Sequence, residues 1–140
     1  MQAPGGIVLG VLRIFLTADG TRKAPVTSNK MMLGRVRRGA VRLGPRARKI
    51  AVAEGLETAL SVAQSVTGLS VWAALSTSGM KAIVLPPKTR EVTLFSDGDI
   101  PGCMAGRAAA QRFIDEGRLA RICTAPPGCD FNDVLREAIR

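Results

Sequence analysis

The sequence contains no histidine and no tyrosine, and aromatic residues make up only 4% of its 140 positions. Without histidine, the common imidazole-bearing zinc sites are excluded. The three cysteines, Cys103, Cys123 and Cys129, offer no CxxC pair and are an odd number, so they read as reduced thiols rather than as a metal site or a disulfide framework. Without tyrosine, no phosphotyrosine link to DNA can form within this polypeptide. Long apolar runs are also missing. The longest, Ile7 to Leu16, is interrupted by Gly10 and Arg13, is too short to span a bilayer, and lacks the basic flank of a signal peptide. A cytoplasmic protein with no membrane partner is expected.

Acidic residues are nearly missing from the first third. Residues 1–50 hold eleven Lys/Arg and one acid, Asp19, whereas residues 51–140 hold nine Lys/Arg and ten acids. A polycationic segment therefore precedes a near-neutral body. Such a segment neutralises phosphates and releases their counterions, which gives affinity for nucleic acid without regard to sequence. A solvated basic face, or an acidic protein partner, is the plainer reading of the same charges.

With few aromatics, the core must be built from Val, Leu, Ile and Ala, which suits parallel strands covered by Ala-rich helices. Ile7 to Leu16 has strand character, and Ala18-Asp19-Gly20-Thr21 is a turn signal. Residues 1–48 read as a small basic appendage of hairpin and loops, with another brief strand at Ala40–Leu43; Gly44-Pro45 marks the boundary with a domain over residues 49–140. Beyond it, strands are predicted at Lys49–Ala53, Leu69–Ala74, Glu91–Ser96 and Leu119–Cys123. Helices are predicted from Leu56 to Val66, Ser76 to Ile83, about Pro101 to Glu116, and Phe131 to Ile139. In the first helix, Leu56, Ala59, Leu60, Ala63 and Val66 form the apolar stripe. This alternation predicts an α/β fold, a Rossmann-like sheet of about four parallel strands flanked by helices.

Parallel sheets bind ligands beyond the C-terminal ends of their strands. Glu54 follows the first of these strands, Asp97 and Asp99 the third, and Asp130 and Asp133 the fourth. Carboxylates gathered at one edge repel each other unless a cation sits among them. Oxygen ligands without imidazole or thiolate point to Mg²⁺ or Mn²⁺, and hence to phosphoryl-transfer chemistry. Each piece also has a structural reading: Asp-Gly-Asp is a common turn and cap sequence, Glu54-Gly55 can favour a helix start, Asp130 can be an N-cap, and Glu57 can be solvated surface.

Glu54-Gly55 after a strand, Asp97-Gly98-Asp99 followed by Gly102 and a run of alanines, and Asp130-Phe131-Asn132-Asp133-Val134-Leu135 together resemble the Toprim domain. Within that superfamily, Val52–Ser61 and Val71–Ser76 are most similar to primase-like proteins of phages, plasmids and integrated elements, and Leu16–Ala24 resembles the segment that precedes Toprim in them. The resemblance implies Mg²⁺ (or Mn²⁺) held by Glu54, Asp97, Asp99 and Asp130, with Glu54 as general acid/base. It implies that Gly55, Gly98 and Gly102 admit a close backbone approach to metal and phosphate. It also implies RNA primer synthesis from nucleoside triphosphates on single-stranded DNA, in company with a helicase or with a zinc-binding module outside this sequence, and a basic flanking surface that holds the template through Arg13, Arg22, Lys23, Lys30, Arg35, Arg37 and Arg38. A Toprim nuclease and a non-catalytic nucleic-acid-binding or assembly module are the alternatives. A chain that opens on a half-formed strand looks like a truncated or minimal version of such a primase.

Overall fold

The computed structural model describes residues 1–139. Its strands are β1 (Gly10–Ile14), β2 (Lys30–Gly34), β3 (Val41–Leu43), β4 (Lys49–Ala53), β5 (Ser70–Ala73), β6 (Glu91–Ser96) and β7 (Leu119–Thr124). Its helices are α1 (Leu56–Ser65), α2 (Thr77–Ala82), α3 (Ile100–Asp115) and α4 (Phe131–Ala138). A five-stranded sheet runs in the order β3-β5-β4-β6-β7, and β1 and β2 pair separately as an antiparallel ribbon. Strands β4 to β7 are mutually parallel, as expected, and β3 is an antiparallel edge strand on β5.

Alternation along the strands divides the core into two layers, because successive side chains point to opposite sheet faces. Ile50, Val52, Trp72, Val92 and Leu94 pack on one face against Met80 and Ile83 at α2 and Ala105, Ala109 and Phe113 of α3. Ala51, Ala53, Val71 and Ala73 pack on the other against Ala59 and Val62 of α1, with Phe95 and Phe131 at the margin. Alanine-rich faces let the helices lie close to the sheet, and two aromatics, Trp72 and Phe113, are fully buried between α3 and the sheet.

Two expectations change. Val41–Leu43, grouped by sequence with the basic appendage, is part of the main sheet; a three-residue strand between glycine-rich breaks carries too little periodicity to reveal its partner. The inward face of α1 is Thr58, Ala59, Ser61 and Val62, while Leu60 is 51% and Val66 46% exposed. α1 packs on both the sheet and α4, so its buried arc is rotated from the purely apolar stripe, and buried Ser61 bonds its own helix backbone through Ser61 Oγ to Glu57 O.

β4 is flanked by β5 on one side and by β6 on the other, so the chain's direction of travel across the sheet reverses at β4. A crevice opens at such a reversal, outside the C-terminal ends of the two strands that diverge from it. No helix among the described residues is long and apolar enough to cross a membrane.

Candidate functional site

The reversal lies between β4 and β6, and the acidic residues stand at its mouth. Ala53 is in register with Phe95, and the Glu54 amide donates to the Phe95 carbonyl at 3.2 Å, so Glu54 and Asp97 leave adjacent strands almost side by side. α1 starts immediately after Glu54. Its first turn therefore lies at the same edge and brings Glu57 and Thr58 to the site, where Thr58 Oγ1 donates to Asp97 Oδ1 at 3.2 Å. Phe131, at the start of α4, meets Phe95 edge-on at 5.1 Å between ring centroids and carries Asp130 towards Asp97.

Asp99 and Asp130 each cap a helix. Asp99 Oδ1 accepts from the Gly102 amide at 2.7 Å at the start of α3. Asp130 Oδ1 accepts from the Asp133 amide at 2.9 Å, and Asp133 answers from its own side chain, completing a capping box on α4. Each cap occupies one carboxylate oxygen.

The glycines have distinct surroundings. A side chain at Gly98 would collide with the Pro126 carbonyl, because the Gly98 amide bonds the Cys129 carbonyl at 2.9 Å and its own carbonyl receives the Gly128 amide at 3.0 Å. Gly102 is closely hemmed by the Asp97 carbonyl and the Asp99 carboxylate, at 2.7 and 2.8 Å from where a Cβ would lie. The close approaches at these two positions are to the protein's own backbone and cap. Gly55 has open space, its nearest neighbour being Glu57 Oε2 at 3.7 Å. Leu75, at the C-terminal end of β5, holds a left-handed φ of 72° although it is buried, a sparsely populated conformation of the kind that collects at functional sites.

The appendage completes the enclosure. A cavity of about 790 Å³ is walled on one side by Glu54, Glu57, Asp97 and Asp130, and on the other by Arg22, Lys23 and Lys30 of the β1–β2 ribbon and its connecting loop. Lys23 Nζ lies 2.6 Å from Glu57 Oε1 and ties the loop to α1. Asn132 and Arg136 of α4 also line the cavity. The basic residues singled out in the sequence thus separate into groups. Arg22, Lys23 and Lys30 face the acids, and Arg37 and Arg38 line a different cavity. Arg13 lies along the ribbon over Phe15, while Arg35 is exposed and lines neither cavity.

Glu57, Thr58, Asn132 and Arg136 were not among the sequence candidates. One rule would have found the first two: in a β-loop-α unit of a parallel sheet, the first helical turn shares the ligand-binding edge.

The electrostatics reflect crowding. Burial, followed by the charges of Asp97 and Asp99, pushes the Glu54 carboxyl up from 4.5 to about 7, with Lys30 opposing. Burial also raises Asp97; the Thr58 hydrogen bond opposes this, while Asp130, Asp99 and Glu57 reinforce it. Burial disfavours ionised Glu57 too, but the Lys23 hydrogen bond and charge outweigh it and hold that carboxyl below its usual range. One consequence can be measured in the metal-free protein. Between pH 4.5 and about 7 the folded chain keeps a proton on Glu54 that the unfolded chain has released, so stability falls as pH rises through that window. The loss is expected to be about 1–2 kcal/mol, less than the full linkage value because the side chain is partly solvated. Thermal unfolding between pH 5 and 8 should show the decline in wild type, and Glu54→Gln should flatten it.

A divalent cation suits this donor set. Glu54 Oε2 is buried without a hydrogen-bond partner, and the surrounding donors are hard carboxylate oxygens held apart by like charge. Among the described residues no three acidic, cysteine or histidine side chains already enclose an ion-sized space. Asp99 and Asp130 point into their caps, so binding would draw on their second oxygens.

The fold has counterparts among known proteins. A family model of the Toprim domain matches residues 49–140, and one of a domain of unknown function matches residues 1–43. No curated protein matches the chain. Among solved structures, the fold is similar to a DNA primase domain from Pseudomonas aeruginosa at 16% identity and a TM-score of 0.58, covering 91% of this chain and 47% of that one. It is similar to the DnaG catalytic core at 22% and 0.61, covering 98% and 46%. It is also similar to the zinc-binding and RNA polymerase domains of the Aquifex aeolicus primase, at 20% and 0.64, covering 98% and 36%. The chain spans less than half of each of these structures. The likeness takes in the basic ribbon as well as the sheet, since the coverage of this chain reaches 98%. With four parallel strands reversing at β4, acids at the reversal and the family match over the whole of that sheet except β3, the chain belongs to the Toprim domain family.

Proposed function

We propose that this chain is the metal-dependent nucleotidyl-transfer module of a primase-like protein, joining ribonucleotides on a single-stranded DNA template. The observation that carries the proposal is the pairing of opposite charges across one cavity. Glu54 and Asp97 at the sheet reversal face Arg22, Lys23 and Lys30 of the ribbon, with room for a nucleotide between them. Glu54 and Asp97, with a free oxygen each from Asp99 and Asp130, would hold Mg²⁺ or Mn²⁺. Bound there, the cation would offset charge on the attacking and leaving oxygens of the transferred phosphoryl group. The lysines and Arg22 would hold the triphosphate by charge-assisted hydrogen bonds. Glu54, at the strand end beside Asp97, is placed to take the proton from a 3′-hydroxyl as the hydroxyl oxygen bonds the α-phosphorus and pyrophosphate departs.

Incubating the protein with single-stranded DNA, ribonucleoside triphosphates and Mg²⁺ or Mn²⁺ tests this reading. Labelled oligoribonucleotides made only with divalent cation are the expected product. Nicked DNA without primers would favour the nuclease alternative instead.

A non-catalytic nucleic-acid-binding reading draws on one observation, the commitment of an oxygen of both Asp99 and Asp130 to helix caps. It requires salt-sensitive DNA binding that is unchanged in EDTA and no product under any metal. Template and triphosphates are the partners that the primase reading requires, and a helicase or a zinc-binding module outside this sequence is a further partner compatible with it.

A further inference from the structure

We infer that Thr58 is the positioning residue that sets which cation the acidic site accepts: it holds Asp97 to a single metal-facing oxygen and so favours Mg²⁺ over Ca²⁺. This rests on the nucleotidyl-transfer reading of the site and extends it to the source of the site's selectivity.

The hydroxyl side chains of α1 behave differently from one another. Ser61 Oγ donates to the Glu57 carbonyl at 3.0 Å, and Ser65 Oγ donates to the Ser61 carbonyl at 2.8 Å. Both find their partner one turn back on their own helix, a common arrangement for a helical hydroxyl. Thr58 does not. It is 2% exposed, and its Oγ1 reaches across to Asp97 Oδ1, 39 residues further along the chain. A valine would fill the same volume against the sheet, so the hydroxyl serves the carboxylate rather than the packing.

The same restraint recurs at each aspartate that would meet the cation. Asp99 Oδ1 is held by the Gly102 amide, Asp130 Oδ1 by the Asp133 amide, and Asp97 Oδ1 by Thr58. Among the described residues, none of the three has a donor on Oδ2. Chelation by both oxygens of one carboxylate requires the group to turn until both face the ion, and a held Oδ1 resists that turn. Single carboxylate oxygens, completed by water and phosphate, suit Mg²⁺, which demands near-ideal octahedral geometry. Ca²⁺ takes more oxygens in a looser shell and readily accepts both oxygens of a carboxylate. The donors to Asp99 and Asp130 are backbone amides of helix caps, which no substitution removes without disturbing α3 or α4. The donor to Asp97 is a side chain, so selectivity can be altered there while the fold stays.

Calorimetric titration of Mg²⁺ and of Ca²⁺ into wild type, Thr58→Val and Thr58→Ser tests the assignment, with thermal unfolding to establish that each variant folds. Thr58→Ala, which also lacks the hydroxyl, replaces Thr58→Val should the latter fail to fold. Loss of the hydroxyl is expected to weaken Mg²⁺ binding by about 10- to 100-fold, the scale on which groups that orient a metal ligand act. Ca²⁺ binding is expected to weaken less or to strengthen, so the preference for Mg²⁺ should fall at least about tenfold. Thr58→Ser keeps the hydroxyl and is expected to hold the wild-type preference. A purely structural role would move stability and leave the ratio of the two affinities where it was. A wild type that prefers Ca²⁺, an unchanged ratio in the folded variant without the hydroxyl, or a Thr58→Ser protein that behaves as Thr58→Val would each overturn the assignment. Wild type that binds neither cation, alone or with a nucleoside triphosphate, would instead sink the reading of the acidic site on which the assignment rests, so the two failures are told apart.

Discussion

Asp97→Asn is expected to lower metal-dependent nucleotidyl transfer by roughly 10³-fold, the scale on which removal of one preorganised charge-stabilising group acts. The substitution is nearly isosteric. The Asn carbonyl can still accept from Thr58 Oγ1, so the loop between β6 and α3 keeps its shape. What is lost is a negative charge that burial and neighbouring carboxylates already disfavour. Asp97→Asn should therefore be no less stable than wild type at pH 7 while being nearly inactive. Thermal unfolding beside primer-synthesis rates checks both halves, and a variant that is unstable as well as inactive would mean that Asp97 serves the fold first. The same neutralisation should bring Glu54 back towards the ordinary carboxylate range, because Asp97 is the largest of the charges raising it.

Gly98→Ala should do the reverse and damage fold and function together. The new methyl has nowhere to go, since the Pro126 and Ala125 carbonyls occupy its position. Relief requires separating the loop after β6 from the turn at residues 125–129, and with it breaking the hydrogen bonds that Gly98 makes to Cys129 and Gly128. Overpacking of this kind costs about 1–3 kcal/mol, and each lost buried hydrogen bond adds on the order of 1 kcal/mol. That turn leads directly into Asp130 and α4, so Asp97 and Asp130 would move relative to each other. Chemical denaturation is expected to show a midpoint well below wild type, with the slope retained. Wild-type stability would contradict the packing described for this loop.

The pattern of residues reveals the sheet more readily than it reveals the surroundings of the site. Lys49–Ala53 and Glu91–Ser96 are bounded by breakers and alternate or run apolar, so their limits are plain from the residues alone. Gly117, with a φ of 77°, stops the chain just past α3 as its position suggests. The strand-end rule then places Glu54 and Asp97 at one edge, and their register confirms that they leave neighbouring strands. Other features depend on tertiary contacts that leave no periodic trace. β3 joins the sheet through three residues. The rotation of α1 is set by α4, which packs against it from far along the chain. Arg22 and Lys23 are separated from Arg37 and Arg38 by the β1–β2 ribbon, whose pairing of Gly10–Ile14 with Lys30–Gly34 skips over the nearer turn at Ala18 to Gly20. That turn closes only a small inner bridge, Leu16 with Lys23, and so holds Lys23 over Glu57.

The most direct test of the acidic site as a metal centre is calorimetric titration of Mg²⁺ and Mn²⁺ into wild type and into Asp97→Asn/Asp99→Asn, with and without a nucleoside triphosphate. Saturable binding in wild type that is abolished in a folded double variant is the expected result. Wild type that binds neither cation even with the triphosphate present, or a double variant that binds as well as wild type, would contradict it.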